Sequence, residues 1–251
     1  MVAALVGAAA TWAADRQVDA RQAACLANVR QVSMAFLAYS ADNRGYFPAP
    51  AYRPARAGGR QRHEDWVRWV PTPGGKPETA GVGPYLGDVA FGKVLVCPAD
   101  DPAARPATPA GQPPYPFSYV MNERVSWAAS RAPAGETARK VAQIRDPASK
   151  VLVYEQDPRT LDDGAGDPDP KANELLSVRH DGGDAAGPGP ASAPAVDNRA
   201  GVIGCVDGHA EVASRATVHS PYHYNPLGTP GTTQPAAGTA PTPTTQASPQ
   251  K

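Results

Sequence analysis

The residues best suited to chemistry lie near the end of the chain. His180, Asp207 and His209 offer two imidazoles and one carboxylate, which are donor groups that suit zinc and similar ions. One hypothesis is therefore an extracytoplasmic metal-binding module or a metal-dependent enzyme that uses these three residues. Against catalysis, the sequence contains no G-x-S-x-G, H-E-x-x-H, P-loop or dinucleotide fingerprint. We nominate no catalytic residue and no small-molecule substrate, and we predict that the protein is not an enzyme.

Residues 157–169 form a second oxygen-rich segment. After Asp157, four further aspartates lie around Gly164 and Gly166, a composition that suggests calcium. They are Asp162, Asp163, Asp167 and Asp169. The spacing does not fit the D-x-[DN]-x-[DN]-G loop with its distant Glu. We therefore favour a solvated loop and predict no cofactor, with a structural calcium in this loop as the alternative.

The cysteines give no separate metal signature. Cys25, Cys97 and Cys205 show no C-x-x-C spacing, which argues against a zinc module or a thioredoxin-type site. An odd number of cysteines permits one disulfide and one free thiol in an oxidising compartment.

Composition limits the other functions. The 24 Lys and Arg residues equal the 24 Asp and Glu residues, so there is no basic field, and nucleic-acid binding is disfavoured. The 29 prolines and 24 glycines favour one modest domain.

A long N-terminal helix must position much of this chemistry. Residues 15–43 carry an apolar stripe at helical spacing. Its members are Val18, Cys25, Val29, Val32, Phe36 and Tyr39. Gly45 and the following Tyr46-Phe47-Pro48 predict the end of the helix. Residues 1–14 are apolar throughout and leave three hypotheses open: a signal peptide, a buried core helix, or the trailing half of a longer membrane helix.

The remaining chain predicts a β-rich head over residues 44–225. Expected strands cover 63–70, 93–97, 115–121, 150–155, 175–180, 201–206 and 209–213, with 150–155 central. Asp207-Gly208 predicts a type I′ hairpin turn, and residues 122–130 a short helix. The insertion at 182–200 is expected to be flexible and the tail at 226–251 to be disordered. Trp66 and Trp69 suggest carbohydrate stacking, although core aromatics are the favoured interpretation.

These segments together resemble a known family. Residues 25–31 and 39–48 are similar to the C-L-x-N-L-[KR]-Q … Y-x-x-D-N-x-G-x-[FY]-P segment of prepilin-like proteins of the planctomycete type. Residues 96–100 resemble their C-P-x-D, residues 118–122 their S-Y-x-x-N, and 147–152 their turn into a strand. His180 with Asp207-Gly208 resembles their C-terminal H-x9-D-G signature. The ordered match spans about residues 20–213.

The resemblance implies an α+β, pilin-like fold, in which a long N-terminal helix packs on a small antiparallel sheet. It implies a structural, pseudopilin-like subunit of a type II secretion or type IV pilus-like filament. The partners would be other pilin-like subunits and the inner membrane, with the head in the periplasm or outside the cell. In this light, Cys25 and Cys97 are the favoured disulfide and Cys205 a buried free thiol.

The sequence departs from this family in two places. The basic leader and the run that follows it are missing, from which we infer a truncated or misassigned start. The signature is also interrupted, because 26 residues separate His180 from Asp207. If the insertion loops out, His180 is expected to reach Asp207 and fix the hairpin, so that His180, Asp207 and Gly208 form a structural motif.

Overall fold

The computed structural model describes residues 2–53, 62–70, 77–87, 91–105, 114–126, 137–181 and 196–231, with the side chains of the first helix from Ala20 onward. Predictions for most of the insertion, for the end of the tail and for the side chain of Val18 lie outside the described residues. Among the helices described, none is long and apolar enough to cross a membrane.

Helix α1 runs from Val2 to Asp42 and confirms the predicted helix over residues 15–42. The predicted packing stripe is also confirmed. Cys25, Val29, Val32 and Phe36 are fully buried, and Tyr39 is partly buried against the same core. Gly45, at φ +82°, follows the helix and donates its N–H to Ser40 O at 2.8 Å, as expected of a left-handed C-terminal cap.

A five-stranded sheet supports the helix. Its strands are β1 (Tyr119–Asn122), β2 (Val151–Glu155), β3 (Ala165–Gly166), β4 (Ala200–Cys205) and β5 (Ala210–Ser214). Their order is β3-β1-β2-β4-β5, so β2 is central as predicted. All five β2 residues are buried, which fits its β-branched and aromatic composition.

The expectation of an antiparallel sheet is wrong at one edge. β2 is antiparallel to both β1 and β4, and β4 is antiparallel to β5, but β3 pairs with β1 in parallel. After β2 the chain reverses through the acidic loop and returns on the far side of β1. β3 therefore runs against β2 and along β1, and the fold is α+β with a mixed sheet.

The helix lies directly on β4 because a glycine there leaves room. A Cβ on Gly204 would come within 2.0 Å of Ser33 Oγ and 3.0 Å of Val29 Cγ1. Helix contacts also extend to β2 and β5. The helix therefore covers one face of the sheet at its central strands.

The predicted hairpin is confirmed, but its turn type is different. Cys205 O accepts the Gly208 N–H at 2.9 Å, and Cys205 N–H donates to His209 O at 2.8 Å. Within the turn only Gly208 has positive φ, at +94°. A type I′ turn needs two such residues, so the geometry is that of an ordinary turn followed by a left-handed glycine.

Three other predicted strands are wrong. Residues 93 and 94 end the single-turn helix α3 (Phe91–Val94), and residues 95–97 follow it without forming a strand. A short buried apolar run does not distinguish strand from helix. Residues 175–180 make one bridge, between Leu176 and Gln156, and residues 63–70 make one, between Asp65 and Ala49. The other helical elements in the described residues are short. They are the single-turn helices α2 (Gly83–Leu86), α4 (Arg215–Val218) and α5 (Pro221–Tyr224) and several 3-10 segments. One 3-10 segment, Glu123–Val125, stands where residues 122–130 predicted a helix.

Candidate metal centre

Four buried side chains meet between α1 and the head. Cys25 lies on α1 and Cys97 in the turn after α3. Glu155 is the last residue of β2, and His180 lies in the segment that follows the bridge between Leu176 and Gln156. One sulfur, nitrogen or oxygen atom from each lies within 4.8 Å of those of the other three. We call this set the thiol cluster.

Local folding brings each member to this point. Cys25 lies on the packing stripe of α1, where its Sγ is 3.3 Å from Tyr119 Oη. The Cys97 backbone N–H donates to Ser118 Oγ at 2.8 Å, which holds this turn beside β1. Ser177 N–H donates to the backbone oxygen of Glu155 at 2.8 Å and so anchors the segment that carries His180.

The donor atoms converge on one imidazole nitrogen. His180 Nε2 is 3.3 Å from Cys97 Sγ and 3.5 Å from Glu155 Oε2. The Glu155 side chain is completely buried, and neither of its carboxylate oxygens accepts a hydrogen bond. Its other nearby cation is Arg179, whose Nε lies 3.7 Å from Oε1.

A ring of buried charges surrounds the cluster. Asp100 forms ion pairs with Arg179, at 2.8 Å, and with Arg105. Ser118 Oγ also donates to Asp100 Oδ2 at 2.6 Å. Two carboxylates, Asp100 and Glu155, therefore face two guanidinium groups, and these four charges sum to zero.

Burial and neighbouring groups set the protonation of the cluster. Burial raises the pKa of Cys25 far above that of an ordinary thiol, whereas a hydrogen bond with Cys25 lowers the pKa of Cys97. Burial opposes the charged form of His180, but Cys97 and Glu155 outweigh it and raise its pKa to about 9. Burial likewise opposes ionisation of Glu155, but His180 and Arg179 outweigh it and lower its pKa.

The cluster does not have the geometry of a cysteine nucleophile with its base. In such a triad the acid holds one imidazole nitrogen and the nucleophile faces the other. Here Glu155 and Cys97 both approach Nε2 of His180, and the His180 side chain is 1% exposed. The chemistry that remains is a Cys25–Cys97 disulfide or shared coordination of a metal ion.

All three cysteines are free thiols in the structure, and Cys205 is buried as predicted. The structure places Cys25 and Cys97 together, so their disulfide stays a prediction that has not been tested.

The structure separates His180 from the other two residues of the sequence-based metal hypothesis. Asp207 accepts from the backbone N–H of His209 at 3.1 Å, and its Oδ1 lies 2.5 Å from His209 Nδ1. Cys205 pairs with Val151, at the opposite end of β2 from Glu155. Four strand residues at about 3.3 Å each put roughly 13 Å between the two ends. The expected contact of His180 with Asp207 is therefore wrong, since His180 lies at the other end, with Cys97 and Glu155.

A smaller group lies at the hairpin. Atoms of Cys205, His209 and Glu211 come within 4.8 Å of one another, but only Cys205 is buried. The His209 and Glu211 side chains are 41% and 48% exposed. Burial raises the pKa of Cys205 to about 12, as it also raises that of Cys25. The hairpin group therefore differs from the thiol cluster in the exposure of His209 and Glu211, not in its thiol.

The acidic loop meets arginines, which argues against calcium there. Arg124 Nε donates to Asp167 Oδ1 at 2.8 Å and Nη2 to Asp167 Oδ2 at 3.2 Å. Asp169 accepts from the same guanidinium at 3.2 Å. Asp157 accepts from Arg159 at 2.8 Å and from Arg215 at 3.1 Å. We call these contacts the arginine network.

The two tryptophans belong to the core. Trp66 is completely buried and Trp69 is 8% exposed. Trp66 Nε1 donates to Gly164 O at 2.7 Å, and Trp69 stacks edge-on against Tyr115. The carbohydrate hypothesis is wrong because neither ring is available for stacking.

Comparison with known proteins returned no match among family models, curated proteins or solved structures. Sequence reasoning missed Glu155 as a site residue because it stands inside a strand, and it missed the cluster because its members lie far apart in sequence. The one available signal was the expected proximity of Cys25 and Cys97.

Proposed function

We propose that the protein is a structural, pseudopilin-like subunit that assembles with other subunits through its N-terminal helix. The observation that carries this proposal is the shape of α1. The helix is continuous for 41 residues. Its side chains are described from Ala20 onward, and the first buried one among them is Cys25. At 1.5 Å per residue, the 23 residues from Val2 to Ala24 add about 35 Å of helix before that point.

The sequence of that part of α1 supports an assembly role. Residues 2–14 contain no charged side chain, and a helix that is apolar all round belongs in lipid or inside an assembly. Membrane association and an extracytoplasmic head are part of the same proposal. The metal-dependent alternative built on His180, Asp207 and His209 is not favoured, because His180 does not meet the other two side chains.

Membrane fractionation and chemical cross-linking of the full chain in cells test this function. We expect wild type to sediment with membranes and to give cross-linked multimers, and Val6→Glu to reduce both by at least about tenfold, the loss expected for a charge in an apolar helix environment. Ala41→Glu is the matched control because Ala41 is exposed on the same helix, outside the part that precedes Cys25. A wild-type chain that stays unsedimented and uncross-linked would contradict the proposal.

A further inference from the structure

We propose that Cys25, Cys97, Glu155 and His180 form a structural zinc site that fastens α1 to the head. This site is separate from any assembly role, because it depends only on contacts within one chain. Four features support a zinc site: the donor set, the spacing of the donor atoms, a buried carboxylate that accepts no hydrogen bond, and the local charge.

The donor set matches zinc. Two thiolates, one imidazole and one carboxylate are all common zinc ligands, and four protein ligands are typical of a closed structural site. All four residues are buried, so no open position is left for a substrate. The thiolates disfavour calcium and magnesium, which prefer oxygen ligands.

The spacing of the donor atoms also fits a tetrahedral ion. With bonds of 2.0–2.3 Å, the edges of such a tetrahedron are about 3.3–3.8 Å long. The distance from Cys97 Sγ to His180 Nε2 is 3.3 Å and that from His180 Nε2 to Glu155 Oε2 is 3.5 Å. The donor atoms of all four residues lie within 4.8 Å of one another, which places them around one common point.

Glu155 supplies an independent observation. Buried carboxylates normally accept hydrogen bonds, but neither oxygen of Glu155 accepts one. A Cys25–Cys97 disulfide would leave this carboxylate without a hydrogen bond. Zinc would ligate this carboxylate directly, beside its charge contacts with His180 and Arg179, and so accounts for all four side chains together.

The charge around the cluster suits a dication. Asp100 and Glu155 already offset Arg105 and Arg179. Zinc with two thiolates and a neutral imidazole therefore adds no net charge to the buried region. Tyr119 Oη, at 3.3 Å from Cys25 Sγ, and the Ala99 N–H, at 3.4 Å from Cys97 Sγ, are placed to stabilise the thiolates, as outer groups do in zinc sites.

The first test measures zinc in the full chain, purified under reducing conditions with added zinc chloride and then dialysed. We expect equimolar zinc in wild type, and a loss of zinc affinity of at least about 100-fold in Cys25→Ser and Cys97→Ser. Cys205→Ser is the matched control, since it removes the third buried thiol outside the cluster, and it should retain zinc. Zinc lost from Cys205→Ser but kept by Cys25→Ser would overturn the assignment.

A second measurement uses the wild-type chain, so its result does not depend on whether the variants fold. Cobalt(II) added to the reduced wild-type chain should give a thiolate-to-metal charge-transfer band and tetrahedral d–d bands, both abolished by excess zinc. A folded wild-type chain that binds neither metal would overturn the proposal. So would native material whose peptide map shows a Cys25–Cys97 disulfide.

Discussion

Glu155 and Asp167 are both buried carboxylates, but the protein treats them differently. Asp167 accepts two hydrogen bonds from one guanidinium, that of Arg124. Glu155 accepts none and faces a thiol and an imidazole instead. Asp167 is thus satisfied by a protein side chain, whereas Glu155 lies among the donor atoms of the thiol cluster and accepts no hydrogen bond. This difference separates a structural salt bridge from a candidate metal site more clearly than the number of acidic residues does.

The largest expected effect lies in the arginine network. Arg124→Met leaves Asp167 buried without its guanidinium, and breaking such a pair costs about 3–5 kcal/mol of unfolding free energy. Urea unfolding measures this loss. Arg199→Met is the control, because the Arg199–Asp197 pair is largely exposed and should contribute about 0–1 kcal/mol. Equal losses in the two variants would contradict the distinction.

Acid should weaken the same region through His219. Its Nδ1 donates to Pro168 O at 2.6 Å and its Nε2 accepts the Leu176 N–H at 2.9 Å, so the imidazole is neutral. Burial lowers its pKa to about 4, helped by Arg215 and opposed by Pro168 O, Asp169 and Asp167. The unfolded chain, with a His pKa of about 6.5, therefore takes up the proton first as pH falls.

The stability from neutral His219 is present above about pH 6.5 and is lost as pH falls towards 4. The shift corresponds to at most roughly 3 kcal/mol. Unfolding free energies at several pH values should show a smaller decline over this window in His219→Gln than in wild type. Identical pH profiles would show that His219 is protonated equally in the folded and unfolded chains.

Zinc should distinguish the two regions directly. At free zinc 100 times the dissociation constant, the wild-type chain should gain about 2.7 kcal/mol of unfolding free energy relative to chelator. Glu155→Gln should gain less, because an amide oxygen is a weaker ligand than a carboxylate. Arg124→Met should keep the full zinc response despite its lower stability. A zinc gain lost in Arg124→Met but kept in Glu155→Gln would reverse the comparison.

The smallest effect is expected at the hairpin. His209 and Asp207 have side chains that are 41% and 38% exposed, and exposed substitutions usually change stability by less than about 0.5 kcal/mol. His209→Ala should therefore leave both the unfolding midpoint and the zinc content unchanged. A loss of bound zinc would return the hairpin to consideration as the metal site.

The parts of the fold that depend on local pattern were predictable. The stripe from Cys25 to Tyr39 identified the helix and its buried face, and residues 150–155 identified the central strand. The hairpin position followed from Asp207-Gly208. Residues 93–97 were mistaken for a strand because Val94 and Leu95 are buried in either conformation.

The candidate site was only partly predictable. The sequence suggested that Cys25 and Cys97 lie together, and it marked His180, but it paired His180 with the wrong partner. The choice between Glu155 and Asp207 depends on which end of β2 the segment after Leu176 reaches. That is fixed by long-range contacts, such as Ser177 N–H to Glu155 O, which leave no local signature. The parallel edge strand β3 was missed for the same reason.

X-ray absorption spectroscopy of the zinc-loaded full chain tests the zinc site most directly. The thiol cluster predicts two sulfur neighbours at about 2.3 Å and two nitrogen or oxygen neighbours at about 2.0–2.1 Å. Cys25→Ser should lower the sulfur count, and Cys205→Ser should leave it unchanged. Zinc surrounded only by nitrogen and oxygen in the wild-type chain would contradict a site built on Cys25 and Cys97.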